Sequence, residues 1–147
     1  MGEIRVESTV RIARSVDEVM AVLHDVAGQH QWWPGQYRSE PLESDDQGRV
    51  TRAGIGNDVK IAKDDFEVVY THDDENTGYR WMLAAPSTIQ RAQEGSWEVR
   101  ADGADGAEVT LQLMVDSTLP LPGFLLRKAL QDTVNGATRG LGHRCEG

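Results

Sequence analysis

Along residues 4–12 the chain alternates. Ile4, Val6, Val10 and Ile12 share one parity, and Arg5, Glu7, Thr9 and Arg11 the other. Period two with one apolar face predicts a half-buried strand. The period changes at Ser15, which with Glu18 three residues on makes a capping box. Val16, Val19, Met20 and Leu23 then form one apolar stripe, so a helix is expected from here to about Gly28, a residue suited to the left-handed turn that closes helices. "QHQWW" is compatible with a short second helix, which Pro34-Gly35 must stop.

Period two returns from residue 36 to 118. The strand-like runs are "VTRAGI", "FEVVYTH", "YRWMLAA", "IQRAQEGSWEV" and "AEVTLQLMV", and the turn signals are "SDDQGR", "GIGND", "DDENTG" and "ADGADG". With the first strand this predicts about six or seven strands, mostly antiparallel because the connections are short. "LPLPG" at 119–123 ends the sheet. The last segment, "FLLRKALQDTVNGATRGLGHRCE", has helical spacing at Leu126, Leu130, Val134, Ala137 and Leu141. A meander with one apolar face needs a cover, and this helix is the only element long enough to supply it.

Small residues on that helix sharpen the picture. Ala129, Thr133, Gly136 and Gly140 fall on one stripe, although glycine costs about 1 kcal/mol against alanine inside a helix. Either the helix frays toward its end, or the stripe leaves volume facing the sheet. The strands bear on the same choice. Phe66, Val68 and Tyr70 share one face, as do Tyr79, Trp81 and Leu83. In the run from Ile89 to Val99, Arg91 and Gln93 share parity with Trp97, so without a bulge both would point inward. A bulge at Gly95 would instead turn Arg91 to solvent. Aromatic walls with a few polar groups suit an apolar pocket.

Composition narrows the chemistry. One domain over residues 1–147 is the simplest reading of the length. The formal charge of −9 argues against binding DNA, RNA or an anionic membrane surface. One cysteine, Cys145, permits no internal disulfide and fits a reducing compartment. The N-terminus carries neither a signal-peptide pattern nor a myristoylation signal, and no apolar run reaches membrane-spanning length. A cytoplasmic protein without stable membrane insertion is therefore expected. His24, His30, His72 and His143 show no metal spacing, so no metal is expected. "GIG" lacks the rest of a dinucleotide loop, and no P-loop or nucleophile motif occurs, so no cofactor and no catalytic residue is assigned. The oligomeric state is left open.

Several segments together carry a family likeness: "VRIARSVDEVMAVLHDV", "QWWPG", "GYRWML", "EGSWEV" followed by "GAEVTLQLMVD", and "LPLPGFLLRKAL". In this order they resemble the bacterial polyketide cyclase/dehydrase-like branch of the START-related, Bet v 1-like superfamily (SRPBCC), over almost the whole chain. The resemblance implies an α+β helix-grip fold, a curved antiparallel sheet around a long C-terminal helix, with two short helices after the first strand at the mouth of a hydrophobic cavity. Trp32 or Trp33 then packs near that mouth, and Trp33 is favoured because the following proline fixes the chain there. The expected ligand-binding set is Trp33, Tyr70, Trp81, Arg91, Gln93, Trp97, Leu130, Thr133 and Gly136. The expected partner is a small hydrophobic molecule such as a lipid, isoprenoid quinone or polyketide, its polar head oriented by Arg91, Gln93 or Tyr70. Two alternatives stand beside it. One is a polyketide cyclase or aromatase, in which Arg91 polarises a carbonyl and Tyr70 moves a proton. The other is a protein-interaction module, for which the sequence shows no basic or apolar outer patch.

Overall fold

The computed structural model describes residues 2–59 and 61–147. The chain forms β1 (Glu3–Ile12), α1 (Val16–His24), a 3₁₀ turn (Val26–Gln31), then β2 (Gln36–Ser44), β3 (Val50–Val59), β4 (Ala62–His72), β5 (Gly78–Leu83), β6 (Gln90–Ala101) and β7 (Ala107–Ser117). The long helix α2 (Gly123–Glu146) closes the sequence. The seven strands make one sheet in the order β1-β7-β6-β5-β4-β3-β2, and every neighbouring pair is antiparallel. Only β1 leaves sequence order; it is carried across by α1 and the 3₁₀ turn to pair with β7. The helix α2 packs on β1 and β7 and touches α1. This is the helix-grip arrangement.

Local chemistry explains the first helix. The Ser15 hydroxyl accepts from the Glu18 amide at 3.1 Å, and the Glu18 carboxylate accepts from the Ser15 amide at 3.0 Å. Two of the helix's orphan donors are thereby satisfied. The helix ends at His24, earlier than the sequence suggests, because Asp25 caps the next turn by accepting from the Gly28 amide. Gly28 is thus inside the 3₁₀ turn and does not close α1. That turn ends at Gln31, with Trp32, Trp33 and Pro34 just beyond it.

Two other expectations shift. "GIGND" is no turn; it lies within β3, paired on both sides, and the side chains of Arg38 and Tyr37 in β2 lie over Gly54 and Gly56. In β6 the bulge falls at Arg91 instead of Gly95: Gln90 pairs with Ser117 and Ala92 with Asp116, leaving Arg91 as the extra residue. One extra residue reverses parity. Beyond it Gln93, Gly95, Trp97 and Val99 all face inward and are buried. Gly95 has a different task, since the Trp81 ring occupies the place its side chain would take.

The tightest packing lies where α2 crosses β1 and β7. Ile12, Leu23, Val99, Val109, Leu111, Val134, Ala137 and Leu141 are wholly buried. Thr138 joins this core by hydrogen-bonding the Ser8 hydroxyl at 2.8 Å. Gly140 presses on the chain after the 3₁₀ turn so closely that a Cβ there would collide with the Trp32 carbonyl, and Gly136 faces Pro34. The small stripe therefore serves close backbone approach over its C-terminal part. Among the described residues no helix is long and apolar enough to cross a membrane.

Candidate functional site

Beyond this contact the sheet and α2 separate and leave a cavity of about 120 Å³. One wall is the inward face of β4, which reads Asp64, Phe66, Val68, Tyr70. Ile55 of β3, Trp81 of β5, and Leu113 and Val115 of β7 extend it. Trp33 and Pro34 form one end of the roof, and Leu126, Leu130 and Thr133 of α2 form the rest. Ile61, 40% exposed, marks the side that opens to solvent beside Leu119 and Leu126.

Of the residues expected to meet a ligand, Trp33, Tyr70, Trp81, Gln93, Leu130 and Thr133 lie on the cavity wall. Three do not. The bulge puts Arg91 outside, 56% exposed, where its guanidinium donates to Asp116 at 3.1 Å and to the Ser117 carbonyl. Trp97 points inward but sits behind the wall, with Trp32 and Trp33 edge-on at 5.9 and 6.0 Å between ring centres. Gly136 is spent on Pro34. Of the paired tryptophans, Trp33 faces the cavity and Trp32 packs toward Trp97.

A polar chain runs along the wall. The Trp81 indole donates to Gln93 Oε1 at 2.8 Å, Gln93 donates to Gln90 Oε1 at 2.7 Å, and Gln90 donates to Asp64 Oδ2 at 3.1 Å. The Ser87 hydroxyl donates to the same oxygen. Buried polar groups are tolerable when joined in this way. Asn57, opposite Asp64 on β3, also lines the cavity, and its buried Oδ1 has no partner among the described residues. Burial alone pushes the Tyr70 hydroxyl well above the usual tyrosine range, so it stays protonated.

Asp64, Asn57 and Gln90 are absent from the sequence-based set. Asp64 had a readable signal, since it shares parity with Phe66, Val68 and Tyr70. Asn57 was hidden in a stretch that looks like a turn, and Gln90 lies across the bulge. At the start of α2, Phe124 is 72% exposed and Leu125 lies beside it, an apolar outer patch the sequence did not suggest. Among the described residues no group of three or more His, Cys, Asp or Glu is placed to hold a metal ion.

The family described as polyketide cyclase / dehydrase and lipid transport matches residues 3–146. No curated protein matches the chain. Among solved structures, a START superfamily protein from Mycobacterium smegmatis superposes with a TM-score of 0.88 at 23% identity, covering 99% of this chain and 98% of that one. The Zhui aromatase/cyclase from Streptomyces sp. R1128 gives 0.80 at 18% identity, over 99% and 94%. A protein from Thermus thermophilus gives 0.80 at 23% identity, over 99% and 97%. At these identities the likeness speaks for the fold, while the family match spans nearly every residue. The chain belongs to the polyketide cyclase/dehydrase and lipid transport family.

Proposed function

We propose that the protein binds a small hydrophobic molecule, of the lipid, isoprenoid quinone or polyketide kind, between the sheet and α2. The observation that carries this reading is the cavity itself: about 120 Å³ of space walled largely by Trp33, Phe66, Val68, Trp81, Leu113 and Leu130. The enclosed volume is a little below the roughly 150 Å³ of a cavity that holds a benzene ring, so a ligand must also use the open side. Apolar ligand surface moved from water to such walls gains about 25 cal/mol per Å². The open side beside Ile61 gives a longer ligand room to extend, and exposed Phe124 and Leu125 stand on the adjoining turn of α2. The family's description, which includes lipid transport, supports the same reading.

The cyclase alternative draws support from the aromatase/cyclase among the similar structures. It assigns carbonyl polarisation to Arg91, which lies outside the cavity, so the geometry favours binding. Native mass spectrometry of freshly purified protein, with organic extraction of whatever is retained, tests the proposal. A retained hydrophobic compound, or saturable binding of an apolar fluorescent probe, is expected. Absence of both retention and saturable binding would overturn it.

A further inference from the structure

The polar end of the cavity has an unusual balance of charge. Asp64 is 7% exposed and takes part in no ion pair among the described residues. Among the described residues of the cavity wall there is no Lys, Arg or His. Its hydrogen bonds all run one way. An indole N–H can only donate and a carboxylate can only accept, so the chain from Trp81 through Gln93 and Gln90 has a fixed direction and ends on Asp64 Oδ2. The Ser87 hydroxyl points to that oxygen as well. Asp64 Oδ1 accepts from none of them. Directly across the ladder, Asn57 Oδ1 is buried and has no partner among the described residues. Asp64 is thus the one charged group on the described cavity wall, and its second oxygen accepts no hydrogen bond from these donors.

A buried carboxylate is tolerated in proportion to the donors it meets. Resting on the binding function proposed above, we infer that this cavity selects ligands whose polar end donates a hydrogen bond, a hydroxyl or an ammonium, received by Asp64. A carboxylate head would meet like charge with no cation on the described wall to offset it. At Asp64 an ether or quinone would set lone pair against lone pair. Chain fatty acids and acceptor-only carbonyl compounds are disfavoured on this basis, and phenols, alcohols and amines are preferred. Charge-assisted hydrogen bonds of this kind are about twice as strong as neutral ones.

Equilibrium dialysis at neutral pH with four probes of one shape tests this: 2-naphthol, 2-naphthylmethylamine, 2-methoxynaphthalene and 2-naphthoate. The two donors should each bind at least about tenfold more tightly than the ether and the carboxylate, and the tighter of them identifies hydroxyl or ammonium as the natural donor. Asp64→Asn keeps the shape and removes the charge, so the preference for 2-naphthol over 2-naphthoate should fall about tenfold or more. The wild-type ranking decides the matter even if that variant folds poorly. Equal affinities, or tightest binding of the ether or the carboxylate, would overturn this inference and leave the cavity reading intact. Saturable binding of none of the four would overturn both.

Discussion

The two halves of α2 lie on the same sheet and do opposite things. From Val134 to Leu141 the helix is in full contact: Val134, Ala137 and Leu141 are wholly buried, Thr138 bonds to β1, and Gly140 touches the Trp32 carbonyl. From Leu126 to Thr133 the same helix carries half-buried side chains over open space. The helix packs closely where glycine lets it meet the Trp32–Pro34 segment, and stands away from the sheet where Leu126, Leu130 and Thr133 line the cavity. The close end therefore positions the open one. A cavity in a marginally stable fold needs such an anchor, because unfilled volume forgoes dispersion contacts that the rest of the core must replace.

The contrast predicts unequal costs for equal truncations. Leu141→Ala should lose about 2–5 kcal/mol, the usual range for emptying a tight site. Leu130→Ala should lose clearly less, because Leu130 already borders a void; chemical denaturation of the two variants gives the comparison. Equal losses would mean that the two halves are packed alike.

Next in size is a pair of glycines one turn apart. Gly140→Ala would drive a Cβ into the Trp32 carbonyl and should cost about 1–3 kcal/mol despite alanine's better helix propensity. At Gly136 the nearest atom to an added Cβ is Pro34 Cγ at 3.4 Å, an ordinary contact. Gly136→Ala should therefore be neutral or stabilising by up to about 1 kcal/mol. Thermal unfolding of both variants checks the opposite signs.

The packed region beside α1 also has a titrating group. His72 donates through Nε2 to the Val50 carbonyl, and its ring lies 5.4 Å from His24 and from Tyr79. Burial pushes its pKa below the ordinary value of 6.5; the hydrogen bond to the Val50 carbonyl opposes this, His24 and Arg49 add to it, and Asp45 opposes it weakly. The folded protein thus binds this proton less readily than the unfolded chain. Stability from this source is complete above about pH 6.5, falls as acid protonates the unfolded chain first, and levels off below the folded pKa. His72→Gln should flatten the stability profile in that window.

The smallest effect concerns Arg91. Its pair with Asp116 is largely exposed, so Arg91→Ala should change stability by less than about 1 kcal/mol. Binding of an apolar probe should not change. A large loss of binding would place Arg91 at the ligand after all.

Most of the architecture was legible because period two and period 3.6 are set by burial itself. The capping box, the alternation in β1 and the apolar stripe of α2 all report which face is covered. Faces could be read, but depth could not. Trp97 and Trp81 both point inward, yet one is hidden behind Trp33 and the other borders space. A single bulge was enough to move Arg91 out of the site, and bulges leave little trace in composition. The glycines misled for a related reason: a glycine that makes room for a neighbour looks like one that makes a turn, as Gly54 and Gly56 show, or a bulge, as Gly95 shows. Asp64 was missed because an acidic pair before a strand reads as solvated.

The most direct test of the account fills the open half. Thr133 lines the cavity, and among the described residues its hydroxyl bonds only to the Ala129 carbonyl one turn back. In Thr133→Leu the larger side chain has room to enter, so stability should be kept or raised while affinity for an apolar fluorescent probe falls at least about tenfold, measured on one preparation. Destabilisation by about 1–3 kcal/mol with probe affinity unchanged would show close packing at Thr133 and contradict a ligand cavity there.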